Sequence, residues 1–250
     1  MRKTHTSNPE KNTILLFHGS PGGPKDFLHI KEGLKDYHFR DVIRPGYETF
    51  QTGNSQIGAP TLPSPTILMG YSWGAVAALR TADLNLEQTS AIILAAPILF
   101  PNPQGLFRKL ILNAPFVSDI IIRRKSPAIL DEFIKQTCFP APCPEGYRDW
   151  LEEITVPDIL KQCVKEKIEI ALDIPAILSR INLQEIPVFV IWGDQDQSVH
   201  EIEQIRPIRS RLSNLQEAKL HGAGHALMWT HHQEVQKSIA LFLETLTVRN

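Results

Sequence analysis

The chain has 250 residues, 42% of them hydrophobic and 21% charged, and a net charge of −1, which predicts a globular protein with no electrostatic reason to bind nucleic acid. Its three cysteines do not make a disulfide framework, and residues 1–10 lack the apolar segment of a signal peptide. Because no apolar run approaches the roughly 20 residues of a membrane span, we expect a cytoplasmic protein with no membrane span.

The first predicted strand covers residues 13–17, a continuous apolar run typical of a strand that is buried on both faces. A turn-rich segment at residues 18–24 follows, and then a short helical pattern at residues 25–34. The glycines of that segment suggest a phosphate-binding loop, but neither G-x-G-x-x-G nor Gly-Lys-Ser/Thr is present. We therefore reject a nucleotide site there. Residues 39–43 form the second predicted strand.

Residues 47–66 are rich in Gly, Pro and Ser and show no helical period, so we expect a loop. An apolar run of strand length then ends at Gly70, Ser72 follows, and an alanine-rich helical pattern begins at once. This is the G-x-S-x-G nucleophile elbow in its strand–turn–helix context. Side chains at Gly70 or Gly74 would collide with the neighbouring strand and helix. The motif predicts that Ser72 is a nucleophile on a strained turn.

A fourth strand is predicted at residues 91–96 and ends at Pro97. From residue 98 to about residue 183 the pattern is helical, in pieces broken by proline, and no strand pattern interrupts it. The pieces that we predict are residues 106–113, 117–125, 128–137, 145–154 and 157–172. This region reads as a helical insert.

Strand patterns resume at residues 188–192 and 216–220, with a short helix predicted between them at residues 201–212. The last helix carries apolar residues on one face, which docks it on the sheet: Val235, Ile239, Phe242, Leu243 and Leu246. Alternating strands and helices predict a doubly wound, mostly parallel α/β sheet that is covered on both faces.

A serine hydroxyl needs a base, and the base needs a carboxylate that orients it. Asp194 and Asp196 both follow a late strand, and we favour Asp196 because it lies where the loop bends back toward Ser72. His225 follows a Gly-Ala-Gly turn after the last strand and is the predicted base. The chain order Ser, Asp, His is the order of α/β enzymes with this elbow.

Two backbone N–H groups are needed to bind the negative charge that develops on the substrate oxygen. Trp73, directly after Ser72, is one predicted donor. The other is Ser20 in the turn-rich segment at residues 18–24, the first loop, because Pro21 has no N–H. His18 is interpreted as a hydrogen-bonded brace of that loop.

These segments together resemble the α/β-hydrolase fold family. Residues 18–22 resemble its H-G-x-P-G oxyanion loop, residues 70–74 its elbow, residues 193–199 its acid loop and residues 224–225 its histidine loop. The resemblance implies a hydrolase core at residues 1–97 and 184–250, with a helical cap at residues 98–183 over the site.

The family in turn implies the roles of the site residues: Ser72 as nucleophile, Asp196 as orienter, His225 as base, and Ser20 and Trp73 as oxyanion donors.

The resulting prediction is a serine hydrolase that cleaves a small ester, thioester or amide through an acyl-enzyme, without a cofactor. Cys138 and Cys143 lack the partners of a zinc site, so we expect no metal. Apolar residues on the first insert helices, among them Phe107 and Phe116, predict an apolar substrate pocket above Ser72.

Four alternatives stay open. A serine nucleophile disfavours the dehalogenase and epoxide hydrolase branches, but not carbon–carbon bond hydrolases or cofactor-free haloperoxidases. A proline-iminopeptidase-like enzyme would need acidic cap residues, for which Glu145, Glu152 and Glu153 are candidates. A ligand receptor with this fold and little turnover is the alternative from another class. The sequence predicts no oligomeric state.

Overall fold

A computed structural model of the chain describes residues 13–51, 55–57, 60, 62, 65–100, 130–168 and 173–248. These residues contain one seven-stranded sheet with the order β3-β2-β1-β4-β5-β6-β7, in which all neighbouring strands are parallel. The strands are β1 Thr13–Phe17, β2 His38–Ile43, β3 Ser55–Ile57, β4 Thr66–Tyr71, β5 Thr89–Ala95, β6 Val188–Gly193 and β7 Leu215–Leu220.

The helices of the described ranges are α1 Leu28–Gly33, α2 Gly74–Leu84, α3 at residues 130–138, α4 Tyr147–Ile154, α5 Pro157–Ile168, α6 Ile174–Leu183, α7 Arg206–Arg209, α8 Leu227–Thr230 and α9 His232–Val248. Short 3₁₀ turns cover Pro24–Phe27, Glu48–Phe50 and Leu86–Gln88, and one π-helical turn covers Glu201–Ile205. Within these ranges, no helix has both the length and the apolar character needed to cross a bilayer.

The predicted fold class is confirmed. The inner strands β4 and β6 are buried along their whole length, and β1 and β5 nearly so, as their continuous apolar runs predict. The edge strand β7 has partly exposed residues instead. Helix α1 packs against α9, and α2 packs against α6. Because crossovers between parallel strands are right-handed, connections that run in opposite directions along the sheet place their helices on opposite faces.

The chain reverses its direction along the sheet between β1 and β4. It runs from β1 outward to β2 and β3, and then returns to place β4 on the other side of β1. Phe17 at the end of β1 pairs with Gly70 near the end of β4, so the loops that follow these strands begin side by side. Ligands of open α/β sheets bind at such a point, beyond the carboxyl ends of the strands.

The loop predicted at residues 47–66 was wrong in one respect, because it contains β3. This strand has three residues and pairs with Asp41–Ile43 of β2 only. A strand so short shows no hydrophobic alternation, and its backbone hydrogen bonds leave no mark in the sequence. The helix predicted at residues 201–212 is also altered, since it begins as a π-helical turn and continues as α7.

Helices α3 to α6 lie between β5 and β6 in the chain, where the helical insert is predicted. Helix α6 packs against α2, and Arg180 Nη2 donates to Asp83 Oδ2 at 2.8 Å. The predicted helices at residues 106–113 and 117–125 lie outside the described residues. The division of the chain into a core and a cap stays a prediction.

Candidate active site

Ser72 lies on a strained turn between β4 and α2. Its φ is +54°, in the left-handed region that non-glycine residues rarely adopt. A Cβ on Gly70 would lie 2.5 Å from the Ala75 Cα, and one on Gly74 would lie 2.0 Å from the Phe17 carbonyl oxygen. At both glycines of the motif a Cβ would therefore collide with backbone atoms, as the motif predicts.

The structure brings Ser72, His225 and Asp196 together. His225 Nε2 lies 2.9 Å from Ser72 Oγ, and His225 Nδ1 lies 2.8 Å from Asp196 Oδ2. All three residues are buried. A carboxylate that accepts from Nδ1–H leaves the Nε2 lone pair facing the serine hydroxyl, which is the arrangement of a general base beside a nucleophile.

Asp196 is held in its ionised form. Burial acts to raise its pKa, but His225 and the backbone N–H groups of Ser198 and Val199 outweigh it, so the pKa lies below its ordinary value. Those N–H groups donate to Asp196 Oδ1 at 2.7 and 2.9 Å. A fixed negative charge at this position would stabilise an imidazolium at His225, as the predicted role of a base requires.

Asp194, the other candidate carboxylate, faces away from His225. Its Oδ2 lies 2.7 Å from His221 Nδ1, and its Oδ1 accepts the backbone N–H of Gly222 at 2.8 Å. The His221 side chain is 97% exposed, so this pair lies at the surface. The contacts of Asp194 shape the turn that precedes the histidine loop.

The position of His225 depends on residues that the sequence did not single out. Tyr71, inside the elbow motif, donates its hydroxyl to the His225 carbonyl at 3.0 Å and stacks its ring on the imidazole. Ala226 donates its N–H to the Thr137 carbonyl at 2.8 Å. A Cβ on Gly224 would lie 2.2 Å from the Phe139 carbonyl oxygen, so the end of α3 packs directly on the histidine loop.

The two predicted oxyanion donors belong to the elbow and to the first loop. Trp73 is the N-cap residue of α2, directly after Ser72, and Ser20 lines the cavity in front of Ser72. In the part of the chain that the structure describes, neither backbone N–H has a hydrogen-bond acceptor. Both residues are buried, but Trp73 is not among the described residues that line the cavity. Their role as oxyanion donors stays a prediction.

His18 acts within the first loop and not as a second base. Its Nδ1–H donates to the Gly19 carbonyl at 2.9 Å, and its ring packs edge-on against Tyr47. Burial, with the nearby positive charge of Arg44, lowers the pKa of His18 well below its ordinary value. The imidazole is therefore neutral, which agrees with its interpretation as a brace.

Asp26 is a buried carboxyl that binds the first loop, and no sequence pattern predicts this role. Its Oδ2 accepts the N–H groups of Gly19 at 2.8 Å and Gly23 at 3.3 Å, and its Oδ1 accepts Trp150 Nε1 at 2.9 Å. Burial raises its pKa to about 6, although these donors and Arg44 act in the opposite direction. Asp26 thereby ties the first loop to α4 of the insert.

A small cavity of about 90 Å³ opens onto Ser72 and His225. Its remaining wall is mostly apolar and aromatic and comes from the first loop, the end of β4, the insert, the loop after β6 and α8. The lining residues are Gly19, Ser20, Pro21, Asp26, Tyr71, Ile98, Phe133, Thr137, Tyr147, Leu151, Ile154, Ser198 and Trp229. The predicted substrate-binding residues Phe107 and Phe116 lie outside the described residues.

The three acidic residues considered for an amino-group site do not line this cavity. Glu153 forms an exposed ion pair with Lys25, and Glu152 lies 3.8 Å from Arg148 at the surface. Glu145 is exposed. The described residues therefore give no support to recognition of a substrate ammonium group by these side chains.

Residues 14–237 match the sequence pattern of the alpha/beta hydrolase family, and the chain belongs to that family. Membership of this family supports hydrolase activity. No curated protein matches the chain.

Many solved structures share the fold. An esterase from Exiguobacterium antarcticum is similar at 15% identity and a TM-score of 0.70, covering 93% of this chain and 92% of that one. A haloalkane dehalogenase, DatA, from Agrobacterium tumefaciens has 14% identity and a TM-score of 0.70, with 94% and 89% covered. A bromoperoxidase from Bacillus anthracis has 17% identity and a TM-score of 0.66, with 93% and 92% covered. At these identities the likeness establishes the fold alone.

The two aspartates give a first prediction. Asp196→Asn should lower kcat about 10⁴-fold, because an amide that faces Nδ1 favours the wrong tautomer of His225. Asp194→Asn, the matched control, should change kcat less than about tenfold, because it perturbs the turn before the histidine loop but not the contact with His225. Steady-state kinetics on any substrate that the wild type turns over will rank the two variants. A larger loss of kcat in Asp194→Asn than in Asp196→Asn would show that Asp196 is not the carboxylate that orients His225.

The pKa of Asp26 gives a second prediction. The folded protein takes up a proton at Asp26 near pH 6, whereas the unfolded chain does so only near the ordinary value of 3.8. Folding therefore binds a proton between these values, and the contribution of Asp26 to stability rises as the pH falls. Relative to Asp26→Asn, the wild type should gain about 1 kcal/mol in unfolding free energy between pH 7 and pH 5.

Urea unfolding of both proteins at the two pH values measures this difference, in which the other carboxyl groups cancel. The matched control is Asp158→Asn, whose side chain is 96% exposed and loses little solvent on folding. A wild-type advantage that stays constant or shrinks toward pH 5 would contradict the raised pKa of Asp26.

Proposed function

We propose that the protein is a serine hydrolase that cleaves a small ester, thioester or amide through an acyl-enzyme. One observation carries the proposal: Ser72 Oγ, the His225 imidazole and the Asp196 carboxylate form a buried hydrogen-bonded chain. This hydrogen-bonded chain ends at a cavity that Ser20, one of the two predicted oxyanion donors, lines. Metal ions and cofactors have no part in the proposed reaction.

In the proposed mechanism, Ser72 Oγ attacks the substrate carbonyl while His225 Nε2 takes its proton. Asp196 stabilises the resulting imidazolium. The oxygen of the tetrahedral intermediate becomes negative and accepts the N–H groups of Ser20 and Trp73. His225 then gives its proton to the leaving group, and the acyl group stays on Ser72. A water molecule, activated by the same histidine, releases the acid.

The cavity supports a small acyl group as the substrate part next to Ser72. Its small volume, about 90 Å³, suits an acyl chain of a few carbons. Phe133, Leu151 and Trp229 give it an apolar wall. α3 and α4 supply part of this wall, which supports the proposal that the helical insert forms a cap over the site.

The nucleophile is tested by a fluorophosphonate probe and by hydrolysis of p-nitrophenyl acetate and butyrate. The wild type should gain one probe mass and turn over the esters, and Ser72→Ala should lose both properties. Ser198→Ala is the matched control, because Ser198 also lines the cavity but its hydroxyl does not contact His225. Labelling that survives in Ser72→Ala would disprove the assignment.

A wild type that labels at Ser72 but does not turn over graded esters, thioesters or amides would favour the receptor alternative. In that case the labelling would show that Ser72 is activated, while none of the tested acyl compounds would be a substrate.

The acyl pocket gives a further prediction. Each methylene buried in the cavity contributes about 0.8 kcal/mol, or roughly fourfold in kcat/KM, until the cavity is full. Specificity should therefore rise over the first few carbons of the acyl chain and then fall. Phe133→Ala should move the optimum to longer chains, whereas Leu183→Ala, which removes an exposed side chain, should leave it unchanged. A flat profile from acetate to octanoate in all three proteins would contradict selection by this cavity.

A further inference from the structure

Arg44, directly after β2, holds the backbone of the first loop from the side away from the cavity. Its Nη1 donates to the His18 carbonyl, and its Nη2 donates to the Gly19 carbonyl at 2.8 Å. The side chain is 11% exposed. A buried guanidinium that contacts two successive carbonyls presents its fork of donors to the backbone in a way that a lysine cannot reproduce.

The Gly19 carbonyl and the Ser20 N–H belong to one planar trans peptide, so they point in opposite directions. A donor that fixes the Gly19 oxygen therefore also fixes the direction of the Ser20 N–H. His18 Nδ1–H donates to the same oxygen at 2.9 Å, so two donors hold this end of the peptide. Hydrogen bonds to the carbonyl also polarise the amide and strengthen its N–H as a donor.

The preceding peptide, between His18 and Gly19, is held at both ends. Its carbonyl accepts from Arg44, and its N–H donates to Asp26 Oδ2 at 2.8 Å. Of the groups in these two peptides, the Ser20 N–H is the one that none of these hydrogen bonds uses.

Arg44 is itself held by Glu166 of the insert helix α5. Arg44 Nε donates to Glu166 Oε1 at 2.7 Å, and the Glu166 side chain is also 11% exposed. Glu166 Oε2 accepts the Tyr47 hydroxyl at 3.0 Å, and that hydroxyl lies 3.0 Å from Ser20 Oγ. The Glu166 carboxylate is therefore connected to the first loop in two ways, through Arg44 and through the Tyr47 hydroxyl.

Apolar packing keeps α5 in place beside this pair. Ile159 and Cys163 of α5 form a small buried cluster with Ile43 and Tyr47, which flank Arg44 in the chain. Since a buried ion pair that loses one partner leaves an uncompensated charge, the guanidinium and the carboxylate depend on each other.

We propose that Arg44 is a positioning residue for the oxyanion hole and that Glu166 holds Arg44 in place, so that the helical insert helps to set the geometry of the first loop. The inference rests on the proposed function, in which the Ser20 N–H binds the substrate oxygen. It adds two residues, one of them in the insert, that act through the backbone and do not touch the substrate.

The kinetic test uses Arg44→Lys and Glu166→Gln with an ester and its thionoester, in which sulfur replaces the carbonyl oxygen. Removal of an oxyanion donor costs about 10²–10³ in kcat, so a donor that is merely misaligned should cost about 10- to 100-fold in kcat, with KM within about twofold. Sulfur accepts hydrogen bonds weakly, so the thionoester should lose much less. If the ester and thionoester rates fall equally, the loss comes from less folded protein and not from a misaligned donor. That result would overturn the proposal.

Lys25→Gln is the matched control. It breaks the Lys25–Glu153 pair, which also joins the region of the first loop to the insert but is about half-exposed and does not contact the carbonyls of His18 and Gly19. Its rates and its ester-to-thionoester ratio should equal those of the wild type. The double variant Arg44→Lys/Glu166→Gln should be little worse than Arg44→Lys alone, because Glu166 acts through Arg44.

Crystal structures of the wild type and of both single variants separate this inference from the proposed function. The Gly19–Ser20 peptide should turn away from the cavity in Arg44→Lys and shift less in Glu166→Gln. If the wild type hydrolyses no acyl substrate, the proposed function fails, while a turned peptide still supports the positioning role. An unchanged peptide in both variants overturns that role, whatever the activity.

Discussion

The close approach of Gly74 to the end of β1 is the contact on which the rest of the site depends. A Cβ on Gly74 would lie 2.0 Å from the Phe17 carbonyl oxygen and 2.4 Å from that of His18. Only without a side chain can the first turn of α2 lie against these atoms. The contact joins the two loops that leave the sheet where its strand order reverses, and so brings Ser72 and Trp73 up to Ser20.

Much of this arrangement could be predicted from the sequence, because its causes are local. The strands β1, β4, β5 and β6 are buried, so their residues had to be continuously apolar, and their bounds follow within a residue or two. The elbow leaves its mark because backbone atoms exclude a Cβ at Gly70 and Gly74. Asp196 and His225 were found from their places after late strands, since all strands of a parallel sheet deliver their loops to one edge.

The residues that sequence reasoning missed make contacts across long stretches of chain. Arg44 and Glu166 are 122 residues apart, and Asp26 and Trp150 are 124 apart. Neither pair belongs to a motif or to a periodic pattern, so nothing near either partner points to the other. Strand β3 was missed for a similar reason, since three residues paired by their backbones carry no side-chain pattern. Tyr71 stood inside the elbow, but no local rule assigns its hydroxyl to the His225 carbonyl.

Asp196 and Asp26 are two carboxyl groups whose surroundings shift the pKa in opposite directions. Both are buried, and burial alone raises the pKa of a carboxyl group. At Asp196 an imidazole and two N–H donors reverse that effect, whereas at Asp26 the neutral donors and the more distant Arg44 leave the pKa near 6. Asp196 therefore keeps the charge that a histidine base requires, and Asp26 serves as an acceptor that ties backbone to an indole.

Asp26 and Arg44 hold the first loop from two places, and each continues into the insert. Asp26 accepts Trp150 of α4, and Arg44 binds Glu166 of α5. The same insert supplies Phe133, Tyr147 and Leu151 to the cavity wall. A change in the packing of these helices would therefore move the loop that carries Ser20 together with part of the cavity wall. In this chain, the helices that supply part of the cavity wall also hold the loop that carries Ser20.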